Sequence, residues 1–439
     1  MRLSVIGLGK LGSPLAAVMA YKGFKVVGAD LNPACVEAIN AGRAPVIEPR
    51  LQELIDAAKD RLCATTDIKA AVKASDASFV IVPTPTGPDG TFVMDYVLKA
   101  AQPIGQALAE KPGYHLIVLT STVMPGDTEA HFVPALERFS GKRCGADFGV
   151  CYNPEFIALG SVVHNMLNPD FILVGESDEK AGALLETIYR QSCDSVPVFA
   201  HMNFVSAELA KISVNSYVTM RISFANQLAR ICDHLPGSDV DVITRAIGLD
   251  TRIGRKYLKG AVSFGGPCFP RDNMAFSKMA ANLGTDAPLA KATDSLNKSY
   301  LDHLVARTIA AVPKGGRVAL LGLSYKADTG VVEESPSLVL AQGLLAAGAK
   351  VSAYDPLAMP QAKEILDGRV EWAETMAACV SQADAVILAV PWDAFRELTP
   401  DQLKNGGRGV TVLDCWRQLS PALFEPVATY LNPGRTPKS

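Results

Sequence analysis

The segment Ser263-Phe264-Gly265-Gly266-Pro267-Cys268-Phe269-Pro270-Arg271-Asp272 sets a thiol directly after two glycines and a proline, with a carboxylate four residues on. Glycines let a substrate approach the backbone closely. Cys268 therefore reads as a candidate nucleophile, against the small buried hydrophobe that an average cysteine is. Lys211 and Asn215 lie four apart in a stretch of helical period, so both project from one face. A cation and an amide donor aimed at one spot can stabilise an oxyanion; the plainer alternative is a solvated lysine beside an ordinary helix-face amide. Glu155 follows a proline-fixed turn and reads as a general base or as a charge at a helix start. Thr122 could orient a water or satisfy its own turn, and Asp272 could orient a water or cap the following helix.

A second constellation stands at the start of the chain. Gly7-Leu8-Gly9-Lys10-Leu11-Gly12 follows the apolar stretch Arg2–Ile6 and opens a helical one from Leu11 to Lys22. In that setting the first glycine permits a tight turn, the second lets a pyrophosphate meet the backbone, and the third packs helix on strand. The helix N-terminus adds N–H groups and a positive dipole end. Asp30 ends the next strand candidate, Lys25–Ala29, where a carboxylate accepts hydrogen bonds from an adenosine ribose. No arginine follows at once to hold a 2′-phosphate, so NAD is expected rather than NADP.

These residues need a scaffold, and the sequence describes one. Short apolar runs at Ser78–Val82 and His115–Leu119 alternate with helix-period segments such as Met94–Glu110, which predicts a parallel sheet wound with helices on both faces. From Asn203 to about Asp233 the helical period runs without glycine or proline until Pro236-Gly237. After Pro313-Lys314-Gly315-Gly316 the opening pattern restarts: strand Arg317–Gly322, helix to Ala347, strand Lys350–Tyr354, with Ala383–Val390 echoing Asp76–Val82. The expected fold class is α/β: two Rossmann-like doubly wound domains, 1–200 and 301–439, joined by a helical central domain, 201–300, with one long helix. The tail after about Pro426 is polar, with proline and glycine, and is expected to be loose.

With 439 residues the chain is too long for one core, and 49% apolar with 20% charged residues is the balance of a water-soluble protein. A net charge of −3 without basic blocks argues against a nucleic-acid partner, and the lack of an uncharged apolar run of about 18 residues argues against a membrane span. Lys10 and the spaced glycines argue against reading the N-terminus as a secretory signal. Nine cysteines, odd in number and scattered without metal-ligand spacing, fit a reducing cytoplasm and no metal.

Thr251–Asp272 resembles the active-site loop of the UDP-glucose/GDP-mannose dehydrogenase family, and its Arg-Ile-Gly opening with Leu258-Lys259 is most similar to the UDP-glucose branch. The resemblance runs along almost the whole chain in order. It includes Ser121-Thr122-Val123 with Pro125-Gly126, Asn153-Pro154-Glu155-Phe156, Ala207-Glu208 with Lys211, Asn215, Phe224 and Asn226, and Gly322-Leu323-Ser324-Tyr325-Lys326 with Ser335-Pro336. It implies four-electron oxidation of a nucleotide sugar's C6 alcohol to the uronate. Lys211 and Asn215 would steady the alkoxide, Cys268 would form a thiohemiacetal and then a thioester, and Asp272, Glu155 and Thr122 would direct the hydrolytic water. It further implies that Pro83, Thr84, Ser121 and Thr122 join the glycine turn and Asp30 around NAD. Phe156, Ile157, Lys211, Asn215, Arg252, Tyr257, Leu258, Phe264, Gly265, Tyr325 and Lys326 would line the nucleotide-sugar site, and the long helix would support at least a homodimer.

Two departures leave the substrate open. The family usually carries a second glutamate four residues after Glu155, where this chain has Leu159, and after Lys326 its usual Asp and Arg are Val331 and Glu333. An Arg-to-Glu inversion repels a diphosphate if the side chain faces it. UDP-glucose is the first expectation, with GDP-mannose and UDP-N-acetylhexosamines as alternatives. A two-electron hydroxyacid dehydrogenase has no need of Cys268, and a non-catalytic sensor has no need of an intact Cys268, Lys211, Asn215 and Glu155.

Overall fold

The computed structural model describes residues 1–157 and 159–436, and the chain divides into two compact units, Met1–Ser213 and Val214–Ser439. The first holds strands β1 (Arg2–Ile6), β2 (Lys25–Ala29), β3 (Leu62–Thr65), β4 (Ala77–Val80), β5 (Leu116–Leu119), β6 (Gly149–Tyr152), β7 (Ile172–Glu176) and β8 (Phe199–Met202). They form one sheet ordered β3-β2-β1-β4-β5-β6-β7-β8. The first six are parallel in the 3-2-1-4-5-6 order of a Rossmann sheet. β7 turns antiparallel to β6, and β8 runs parallel to β7.

The apolar runs work because central strands are buried on both faces. Leu3, Val5, Phe79 and Val118 pack with helix Gly12–Tyr21 on one face, and Ile6, Val80, Ile117 and Leu119 pack with helix Asp95–Glu110 on the other. Edge strands β3 and β8 reach solvent.

In the second unit, β9 (Arg317–Leu321), β10 (Lys350–Tyr354), β11 (Glu371–Trp372), β12 (Ala385–Leu388), β13 (Thr411–Asp414) and β14 (Thr429–Leu431) form a second sheet. Its order, β11-β10-β9-β12-β13-β14, repeats 3-2-1-4-5-6, and every pairing is parallel. The fold class is α/β, with two Rossmann-like sheets and a helical central region. The helices of that region share the core of the second sheet: Ala229, Cys232, Tyr300 and Leu304 cluster with Val318, Leu320 and Leu344. Pro288 and Pro336 sit in the first turns of helices Pro288–Ala310 and Pro336–Ala346, where a missing N–H costs nothing.

The long helix runs from Phe204 to Cys232, 29 residues, about 43 Å at 1.5 Å per residue. Asn203 Oδ1 accepts the backbone N–H of Ser206 at 2.9 Å and caps its start. No helix among the described residues is long and apolar enough to cross a membrane.

The tail differs from expectation. Up to Thr436 it is tied down: β14 completes the second sheet, the Gly434 N–H donates to Asp233 Oδ1 at 2.8 Å, and the Thr436 hydroxyl donates to Cys232 O at 2.6 Å. Thr436 thereby meets an orphan carbonyl at the end of the long helix. Residues 437–439 lie outside the described part.

Candidate active site

The glycine turn after β1 separates two demands. At Gly7, whose φ is +97°, a Cβ would stand 2.3 Å from Ile81 O, and at Gly12 it would stand 1.8 Å from Gly7 O. Both glycines are required by the protein's own packing. A Cβ at Gly9 would meet nothing within 4 Å, so the room over Gly9 is space for a ligand, as a pyrophosphate on this turn requires. Helix Gly12–Tyr21 starts there, with Lys10 exposed and Leu11 at its N-cap.

Asp30, just after β2, accepts the N–H of Leu8 at 2.6 Å and of Asn32 at 2.8 Å. It ties the glycine turn to the second strand and keeps lone pairs for ribose hydroxyls. Pro83 and Thr84 follow β4, and Ser121 and Thr122 follow β5. Ser121 Oγ accepts the Val82 N–H at 2.9 Å and donates to Val82 O at 2.7 Å, while Thr84 Oγ1 donates to Thr122 O at 2.7 Å. These loops lie at the carboxyl ends of the strands, beside the switch point between β1 and β4 where such sheets bind ligands. The residues present fit NAD.

The second sheet repeats the topology without the dinucleotide features. Asp355, at the end of β10, occupies the position of Asp30 but is 1% exposed. It receives the N–H groups of Leu323 (2.7 Å), Ser324 (3.1 Å), Leu357 (2.8 Å) and Ala358 (2.7 Å), the Ser324 hydroxyl and the Trp392 indole (both 3.2 Å). Six donors saturate a carboxylate. Asp355 is a buried staple with nothing left for a ribose.

Still in the first unit, the turn after β6 carries Glu155. Lys211 is 6% exposed; its Nζ donates to the Glu155 carbonyl at 2.7 Å and lies 4.8 Å from the centre of the Phe156 ring. The Tyr189 hydroxyl stands 3.5 Å from Glu155 Oε1. Burial pushes the Glu155 carboxyl up to about 7, with the Lys211 charge and Tyr189 opposing it. A carboxyl poised there can take or give a proton near neutrality. Ile157 packs partly buried against the first-unit core. Glu208, buried on the long helix, accepts the N–H groups of Gly126 (2.6 Å) and Thr128 (2.9 Å), and so holds the turn that follows Thr122.

In the second unit, Cys268 is exposed at the N-cap of helix Phe269–Asn282. Asp272, 1% exposed in the first turn, accepts from Asn215 Nδ2 at 2.6 Å, and Arg271 Nε lies 3.3 Å from its other oxygen. Next to this pair, the Ser216 hydroxyl lies 2.9 Å from Asn273 Oδ1. The approach to the thiol is clamped by amides: Asn226 bonds Ala261 N–H and Val262 O, and Asn297 bonds Phe264 N–H and Phe264 O. A Cβ at Gly265 would stand 2.0 Å from Glu334 O, and one at Gly266 would stand 2.5 Å from the Tyr325 ring. Both glycines let the loop lie flat on the turn that carries Tyr325 and Lys326. Leu258 and Phe264 are buried, Tyr257 is exposed with φ of +63°, and Arg252 is exposed and paired with Asp250. A bulky residue at positive φ is strained.

Residues 1–193 match the NAD binding domain of the UDP-glucose/GDP-mannose dehydrogenase family, 205–299 its central domain and 319–421 its UDP binding domain. The chain belongs to that family. Its cofactor is NAD. It is 36% identical to a UDP-glucose 6-dehydrogenase of Haloferax volcanii, over 91% of this chain and 93% of that one. It is 34% identical to a GDP-mannose 6-dehydrogenase of Pseudomonas syringae, over 81% of each chain. A solved UDP-glucose dehydrogenase from Pyrobaculum islandicum superposes with a TM-score of 0.85 at 35% identity, covering 95% of this chain and 96% of that one.

Against the pattern of the UDP-glucose/GDP-mannose dehydrogenase family, the two departures now have places. Leu159 packs against the first-unit core, and its loop is held by a carboxylate from elsewhere: Glu48 accepts the N–H groups of Gly160 (2.9 Å) and Val162 (2.7 Å). Glu333 is exposed, while Val331 closes its loop through the backbone, accepting the Tyr325 N–H at 3.0 Å. The sequence reading had no signal for Tyr189, Asn297 or Glu48, whose partners lie 33 to 114 residues away.

Proposed function

We propose that this dehydrogenase oxidises the C6 alcohol of a nucleotide sugar, UDP-glucose in the first instance, to the carboxylate through a covalent intermediate on Cys268. Bound NAD supplies the hydride acceptor for each of two oxidations. Lys211 and Asn215, four apart on one helix, stabilise the developing alkoxide as the alcohol becomes an aldehyde. The Cys268 sulfur adds to the aldehyde carbon and gives a thiohemiacetal; loss of a second hydride and a proton leaves a thioester. Water then displaces the thiol, activated by Asp272 and Glu155 with Thr122. Each sugar thus yields two NADH and a uronate, and the thioester keeps the aldehyde from escaping.

The observation that carries this reading is an exposed thiol at a helix N-cap, one turn from a buried carboxylate held by Asn215. UDP-glucose is favoured by the likeness to the Haloferax enzyme over 91% of the chain and by the Arg-Ile-Gly loop opening. In a panel of sugar nucleotides assayed for NAD reduction, UDP-glucose is expected to give the highest kcat/KM; a higher value with GDP-mannose or a UDP-N-acetylhexosamine replaces the substrate and keeps the chemistry.

NAD is expected to outperform NADP by at least about tenfold in kcat/KM, because a 2′-phosphate beside Asp30 meets like charge. Asp30→Ala should narrow that ratio and raise KM for NAD, since it also releases the Leu8 N–H. Equal use of both cofactors by the wild type contradicts the assignment.

The reading includes a homodimer. Tyr217, Phe224 and Ile231 repeat every seven residues on the long helix and are 55%, 46% and 51% exposed, a stripe suited to a second copy. Light scattering at micromolar concentration should give a dimer or larger, and Phe224→Glu should weaken association at least about tenfold. A monomeric wild type sinks this part. Nine cysteines, none of them in a disulfide among the described residues, support a reducing, cytoplasmic setting.

A further inference from the structure

The long helix and the helix that starts at Cys268 are joined by two side-chain pairs in step. Asn215 and Ser216 are neighbours on the first, and they donate at 2.6 and 2.9 Å to Asp272 and Asn273, neighbours on the second. Successive helical residues point about 100° apart, so the second pair cannot share the direction of the first. One contact between two helices lets them pivot about it, and a second removes that freedom. Asn273 is fully buried. Its Nδ2 donates to Ala290 O at 3.0 Å and to Asp294 Oδ1 at 2.7 Å, one turn apart on helix Pro288–Ala310. A carbonyl and a carboxylate can only accept, so they fix which end of the amide is nitrogen. Oδ1 is left to face the Ser216 hydroxyl, and three helices meet on one side chain.

We propose that Asn273 is a positioning residue for the second oxidation: by fixing how helix Phe269–Asn282 is turned on the long helix, it sets where Cys268 stands relative to the carbon whose oxygen Asn215 steadies. The proposal rests on the roles given above to Cys268 and Asn215. It sets the two oxidations apart. Without the Ser216–Asn273 pair the helices can pivot about the Asn215–Asp272 contact. That motion leaves the oxyanion donor in place and swings the N-cap where Cys268 sits. The first hydride transfer does not use the sulfur and should tolerate the swing. The second needs the sulfur within bonding reach of the aldehyde carbon, where a misplacement of about 1 Å costs on the order of a hundredfold.

The C6 aldehyde of the sugar nucleotide preferred in the panel reads both steps from one compound. With NADH and a proton it is reduced to the alcohol, the first oxidation in reverse; with NAD and water it gives the uronate and NADH by way of the sulfur. Ser216→Ala removes only the hydroxyl that links Asn273 to the long helix, and the Ser223 hydroxyl, donating to Thr293 O at 3.4 Å, still ties that helix to Pro288–Ala310. In this variant aldehyde oxidation is expected to fall about tenfold while aldehyde reduction stays within about twofold of the wild type. Ser216→Thr, which restores the hydroxyl, should recover the oxidation. Asn273→Asp, close in shape but without the donors to Ala290 O and Asp294, should show the same one-sided loss. An equal loss in both directions, or a lower Tm with both rates unchanged, marks contacts that serve stability alone and overturns the proposal. Cys268→Ser in the same two assays checks the reading beneath it. Oxidation lost with reduction intact upholds the role of the thiol, so that a failure in Ser216→Ala then falls on Asn273 alone; near-normal oxidation removes the thiol from the mechanism and the proposal with it.

Discussion

Cys268→Ser is expected to lower overall turnover by several powers of ten while NAD and sugar-nucleotide binding persist. The side chain is exposed, so the change removes no core contact and should leave Tm nearly unchanged. In the proposed mechanism it removes the nucleophile. A serine hydroxyl ionises far above the thiol's reference value of about 8.5 and attacks an aldehyde poorly without a strong base. A serine ester, once formed, would also be a less reactive acyl group than a thioester. In the proposed mechanism the first hydride transfer does not use the sulfur, so the variant should accumulate a trapped adduct or release aldehyde slowly. Supplying the C6 aldehyde should not restore the rate. A variant that keeps near-normal rates through both oxidations would return Cys268 to the status of an ordinary thiol.

Lys211→Ala should impair both oxidations, by about 3 kcal/mol or more, which is above a hundredfold in each. Assays that start from the alcohol and from the aldehyde separate the two steps, and a loss confined to one contradicts a shared oxyanion role. The substitution has a second consequence with a definite sign. The Lys211 charge lowers the Glu155 carboxyl against the burial that raises it to about 7. Without that charge the carboxyl rises further, and the residual activity should lose its acid side at higher pH than in the wild type. Lys211→Arg restores charge but not the compact point donor that reaches the Glu155 carbonyl at 2.7 Å, so it should recover the pH profile better than the rate.

The parts of the protein that sequence made legible are those whose cause is local. Strand, glycine turn and helix occupy Arg2–Tyr21 without interruption, and the expected β1, β2 and β10 coincide with those found. The long helix starts and stops within a residue of the reading because its cap, Asn203, and its terminators are adjacent in the chain. The antiparallel turn of β7 was not legible: β6 and β7 are apolar runs of 4 and 5 residues with no period to orient them. Asp355, like Asp30 a carboxylate just after a second strand, is told apart from it only by the fold, which brings Trp392 and the turn at Leu323 onto it and spends every lone pair. The site divides along the same line. Cys268 and Asp272 share one helical turn and could be read together, whereas the Asn215 that grips Asp272 is 57 residues away, and the Tyr189 beside Glu155 is 34 away.

The most direct test of the covalent four-electron reaction is the number of NADH molecules formed per sugar nucleotide consumed, measured with a limiting amount of the sugar nucleotide of the panel that gives the highest kcat/KM and excess NAD, and run to completion. The account predicts two, with no free aldehyde detected. One NADH per sugar would make the protein a two-electron alcohol dehydrogenase, and none would make it a binding protein; either result contradicts the mechanism assigned to Cys268.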